Sequence, residues 1–110
     1  MLKNSSFVKL RIMTPTTHGD IIRKTLGEAG AGVQGNYSFC TGSHRQTGRF
    51  MPMAGSKPSI GEIGKLAEVE EEVIETICRV DLVEGVIAEI RKVHPYEEPA
   101  IDIIPRLEIE

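Results

Sequence analysis

From Phe7 to Met13 the chain alternates, with Val8, Leu10 and Ile12 on one side and Phe7, Lys9, Arg11 and Met13 on the other. A period of two predicts a half-buried strand. Thr14-Pro15-Thr16-Thr17 ends it, with Thr17 as the expected N-cap of a helix. Between His18 and Ala29, the residues Ile21, Ile22, Thr25, Leu26 and Ala29 recur at helical spacing. That is the apolar stripe of an amphipathic helix. Gly30 and Gly32 close it, because glycine accepts the left-handed backbone that ends helices.

The middle of the chain has weaker periodicity. Tyr37 to Thr41 reads as a strand and Gly48 to Met51 as a short one, with Gly42 to Thr47 as loop. Three glycines and two prolines between Pro52 and Gly64 predict irregular backbone. Residues 66–80 admit two readings. Leu66, Val69, Val73, Ile74 and Ile77 fit a helix, whereas Ile74, Thr76, Cys78 and Val80 alternate as in a strand. The β-branched run from Val73 to Ile77 leans toward the strand. The acidic run Glu70-Glu71-Glu72 is expected at a solvated strand end. Val83, Val86, Ile87 and Ile90 define a second helix over 83–93, with Asp81 as an N-cap or early acidic residue. Pro95 stops that helix. Ala100 to Ile104 is a last short strand, ended by Pro105.

The resulting order places each helix after a strand and lets both cover one face of an antiparallel sheet. This is an α+β, ferredoxin-like βαββαβ arrangement over a single domain of residues 1–110. Composition agrees: 40% apolar and 26% charged residues, with a net charge of −3, suit a globular chain and argue against disorder. A core of this size leaves little reserve, so oligomer contacts are a natural supplement. Charge is uneven, +6 over residues 1–57 and −9 over residues 58–110. The basic residues are scattered and poor in interleaved aromatics, so no nucleic-acid partner is expected. No apolar run suits a membrane span or a signal peptide, and no membrane partner is expected. Cys40 and Cys78 form no CxxC pair and read as reduced thiols of a cytoplasmic protein.

The densest chemistry lies in His94-Pro95-Tyr96-Glu97-Glu98-Pro99. The two prolines stiffen this segment, which presents an imidazole, a phenol and two carboxylates in six residues. One reading is a divalent-cation site, since imidazole and carboxylate suit Zn²⁺ or Cu²⁺. The set is then His94 and Glu97 with help from Cys40 and His44, or from His18. The other reading is a rigid turn whose His and Tyr hydrogen-bond a neighbouring loop or another subunit. The glycine-rich stretch Gly27 to Gly35 follows a helix instead of opening one, so it is no dinucleotide fingerprint. An anion site at its backbone with Arg45, Arg49 or Lys57 is a weaker alternative. Glu97 and Glu98 are adjacent, point to opposite sides of an extended backbone, and make no acid/base pair.

Three stretches together resemble a known family: Gly30-Ala31-Gly32-Val33-Gln34-Gly35-Asn36-Tyr37-Ser38-Phe39-Cys40, then Gly48-Arg49-Phe50-Met51-Pro52 with Gly55-Ser56-Lys57-Pro58-Ser59-Ile60-Gly61, then His94 to Asp102. The chain is similar over roughly residues 7–107 to the small domain inserted in NIF3-like proteins of the YqfO type. Its last motif also resembles a His-Pro-Tyr-Glu-x-Pro segment of CutA, the divalent-cation tolerance protein. The resemblance implies a strand over 66–80, a PII/CutA-like fold and assembly as a homo-oligomer, with a trimer favoured. The dinuclear metal centre of NIF3-like proteins belongs to their larger domain, so no hydrolase chemistry carries over to these residues. The implied function is a non-catalytic binding or regulatory protein that holds a divalent cation or small ligand at an inter-subunit cleft. Candidate ligand contacts are Asn36, Tyr37, Arg49 and Tyr96. The alternatives are a protein–protein adaptor, or a small metal-dependent enzyme using His94 or Cys40.

Overall fold

The computed structural model describes residues 1–110. Its elements are β1 (Leu2–Pro15), α1 (Gly19–Glu28), β2 (Gly42–Phe50), β3 (Ala67–Arg79), α2 (Val83–Val93) and β4 (Ile101–Ile109). One short 3-10 turn leads into each helix. The strands form one antiparallel sheet in the order β2-β3-β1-β4, the ferredoxin-like arrangement. No helix is long and apolar enough to cross a membrane.

The alternation in β1 sets which face is buried. Val8, Leu10 and Ile12 stand opposite Cys78, Thr76 and Ile74 of β3. They pack under Ile22 and Leu26 of α1 and Val83, Val86 and Ile90 of α2. Each fully buried aliphatic side chain contributes about 1.5–3 kcal/mol. On the other face, Lys9 and Arg11 of β1 both ion-pair with Glu75 of β3, and Arg11 also reaches Asp102 of β4. Val73 is buried on this second face, outside the main cluster.

Several boundaries differ from the sequence reading. Strand β1 starts five residues earlier than Phe7, because Leu2 to Asn4 pair with Leu107 to Ile109. Pro105 does not end β4. It sits on an edge strand where the β1–β4 register shifts, a place where a missing N–H costs little. Ser5 bridges that irregularity by accepting from Phe7 N–H and Arg106 and donating to Glu108. Tyr37 to Thr41 is not a strand. Phe39 has φ 58°, a left-handed backbone that breaks an extended run. The strand lies in Gly42–Phe50 instead, at the sheet edge. Solvent reaches both its sides, so its polar sequence shows no alternation. Neither expected helix cap forms: the Thr17 hydroxyl bonds the His18 ring, and Asp81 is held by Arg79. The acidic run lies inside β3 and not at a solvated end, with Glu71 buried.

Candidate functional site: a cleft closed by two connecting segments

Helix α2 stops at Val93, and His94 leaves in extended conformation with ψ 132°. This fits the restriction Pro95 places on its predecessor. Segment 94–100 then carries the chain to β4. Across from it, segment 51–66 connects β2 to β3. The backbone N–H of Lys57 donates to Glu97 Oε1 at 3.2 Å and ties the two segments together. Between them lies a cleft of about 1100 Å³.

His94 is only 7% exposed. Its Nδ1 accepts the Tyr96 N–H at 3.1 Å and its Nε2 meets the Met13 carbonyl at 2.7 Å. An amide N–H only donates and a carbonyl only accepts, so the ring is neutral with its proton on Nε2. Burial lowers its pKa, partly countered by the Met13 carbonyl and Glu71. Tyr96 stacks edge-on against Phe50, with ring centroids 6.0 Å apart. Its hydroxyl donates to Glu71 Oε2 at 2.7 Å. Burial and the adjacent carboxylate push that phenol well above its ordinary pKa, so it remains a donor. Glu71 Oε1 accepts from Gln46 Nε2 at 3.1 Å. Gly48 leaves room for this carboxylate, since a Cβ there would overlap it.

The structure divides the residues nominated from sequence. Arg49, Tyr96 and Glu97 line the cleft, with Arg49 paired to Glu68 at 3.2 Å. His94 lies behind Tyr96. Cys40 is elsewhere: its N–H donates to the Gly32 carbonyl and its carbonyl accepts from the Thr76 hydroxyl. Thr76 and Glu71 are five residues apart on β3, about 17 Å at strand rise. Asn36 and Tyr37 belong to the turn before Cys40, closed by a bridge between Gln34 and Tyr37. His44 is exposed on β2 opposite Val73. No group of three or more His, Cys, Asp or Glu converges as metal ligands within the chain. His94, Glu97, Cys40 and His44 are not gathered into one group within the chain, and both His94 ring nitrogens have hydrogen-bond partners. Glu71 and Gln46 were not nominated. Three consecutive glutamates give no hint which one turns inward, and only the strand register reveals it.

No family model matches the chain. A GTP cyclohydrolase 1 type 2 homolog of Halalkalibacterium halodurans is 49% identical over 100 residues, 91% of this chain and 27% of that protein. Its Bacillus subtilis counterpart is 43% identical over 97 residues, 88% of this chain and 26% of that protein. The crystal structure of a Bacillus cereus protein related to NIF3 superposes with a TM-score of 0.80 at 42% identity, over 96% of this chain and 26% of that one. The chain is a relative of the NIF3-like proteins. It spans about a quarter of the length of these NIF3-like relatives. CutA from Archaeoglobus fulgidus, described as a periplasmic divalent cation tolerance protein, matches with a TM-score of 0.67 at 20% identity, over 91% of this chain and 83% of that one. That likeness establishes the PII/CutA-like fold of this NIF3-like domain.

Proposed function

We propose that this domain is a non-catalytic, oligomeric binding module of the PII/CutA-like type, with the cleft between segments 51–66 and 94–100 as its ligand site. The cleft itself carries the reading. It has the size of a small-molecule site. Its two walls are connected by the Lys57–Glu97 hydrogen bond, and its floor is ordered by the Tyr96–Glu71–Gln46 chain. The non-catalytic part rests on His94 and Tyr96. The imidazole is committed to backbone groups on both sides, and the phenol is held protonated, so neither is poised as a base.

Oligomerisation is supported by the sheet edges. Strand β2 carries His44, Arg45 and Arg49 without an acid, while β4 carries Asp102 and Glu108 against a single Arg106, beside exposed Ile103, Ile104 and Leu107. Unpaired edges of opposite charge suit head-to-tail contact between copies. Three subunits is the number implied by the resemblance to CutA and PII.

Native mass spectrometry tests assembly, and mapping of ¹⁵N amide shifts against a panel of small metabolites tests the cleft. Saturable shifts confined to Gly48, Arg49, Ser56 and Tyr96 support the site. Shifts centred instead on Asn36, Tyr37 and Cys40 would move it to the other end of β3. Adding Zn²⁺ and Cu²⁺ to the same spectra tests the cation. Uptake of one ion per subunit, lost in His94→Ala, would restore a metal site built between subunits.

A further inference from the structure

We propose that the cleft takes a cationic group, an ammonium or guanidinium on an apolar body, with the Glu71 carboxylate as its counter-charge. The inference rests on the cleft being a binding site and adds the chemistry of its occupant.

Glu71 lines the cleft and is only 6% exposed. A charge removed from water to that degree is ordinarily matched by an opposite one. Here both hydrogen-bond donors, Gln46 and Tyr96, are neutral. No Lys, Arg or His forms an ion pair with Glu71. On its sheet Lys9 and Arg11 pair with Glu75 and Arg49 with Glu68, and Arg23 of α1 pairs with Glu72. A carboxylate accepts about four hydrogen bonds, and Glu71 receives two from side chains, Gln46 and Tyr96.

The rest of the lining points the same way. Glu97 and Glu98 add two further carboxylates, and Arg49 is the one basic residue, already paired. An anion entering here would meet three carboxylates. The walls are mixed, and Phe50, Met51, Met53 and Ile60, set among polar residues, are able to cover a hydrocarbon body. Phe50 and Tyr96 both line the cleft, and aromatic rings attract cations. Two sources share this chemistry: a free amine or guanidine, and a Lys or Arg side chain of a second copy of this chain.

The test is ¹⁵N-detected titration of the folded chain with n-butylammonium, with n-butyrate and n-butanol as charge controls. The expected result is saturable shifts at Gln46, Gly48 and Tyr96 with butylammonium alone, weakened about tenfold or more in Glu71→Gln. If Glu71→Gln loses its spectrum, the wild-type chain carries the test through salt: butylammonium binding should weaken as ionic strength rises, and binding indifferent to salt overturns the assignment. Titration at two protein concentrations separates the sources. An apparent affinity that weakens as protein concentration rises, because association places a neighbour's side chain in the cleft, identifies a second copy's side chain; a constant one identifies a free ligand. Equal binding by Glu71→Gln, or preference for butyrate or butanol, overturns the cation assignment while leaving the cleft as a ligand site. A cleft unmoved by all three probes overturns both.

Discussion

Single residues in this domain carry unequal burdens, and its glycines show why. Gly32 has φ 77°, and a Cβ there would lie 2.7 Å from the Cys40 carbonyl oxygen and 2.9 Å from the Cys40 nitrogen. Both neighbours are backbone and cannot rotate away. Left-handed strain alone costs about 1–2 kcal/mol, so Gly32→Ala is expected to lower unfolding free energy by about 2 kcal/mol or more in urea titrations. Gly85 is the opposite case: it sits inside α2 with nothing within 4 Å of its added Cβ. Gly85→Ala should raise stability by about 0.5–1 kcal/mol in the same assay, through backbone entropy. Tyr96→Phe removes one hydrogen bond from a buried carboxylate and should cost about 1.5–3 kcal/mol. A loss below about 0.5 kcal/mol would mean that water replaces the phenol.

Among the elements, the connection from α2 to β4 is the one most exposed to pH. Its first residue, His94, accepts the Tyr96 N–H through Nδ1. Protonation converts that acceptor into a donor and opposes two N–H groups. The folded pKa lies below the reference value of 6.5, chiefly through burial. In the interval between those two values the unfolded chain binds more protons than the folded one. Stability should therefore be level above about pH 6.5, fall as pH drops toward the folded pKa, and lose no more from this group below it. Urea unfolding of wild type and His94→Gln across pH 7.5 to 4.5 checks this. The wild-type slope near pH 6 should be absent in the variant, and parallel curves would assign the slope elsewhere. The element scale is also where sequence legibility varied. Strand β1 and helix α2 were readable because each has one dry side and one wet side. Strand β2 was readable only at its end, from Gly48 to Phe50, since its exposed polar beginning at the sheet edge has no period to show. Within the site, the stiffness of segment 94–100 followed from its two prolines. The inward turn of Glu71 did not, because it depends on which β2 residue stands opposite.

At the scale of the whole molecule, the domain is elongated, 50 Å by 26 Å by 24 Å overall. Its two free edges carry opposite charge. If they join copies, association should weaken as salt rises, and Ile103→Lys with Leu107→Lys should return the chain to monomer in sedimentation velocity while its fold persists. Unchanged sedimentation would remove β4 from the interface. The first and last strands also pair at their outer ends: Leu2 stands opposite Ile109, and the Glu110 N–H donates to the Met1 carbonyl at 2.9 Å. The two ends of the polypeptide therefore leave side by side, separated by little more than one strand spacing of about 5 Å. A host loop interrupted at such a point keeps nearly its original span, so almost no closure entropy is added. The paired end strands form a short stem at the opposite end of β1 from the cleft, which Met13 lines.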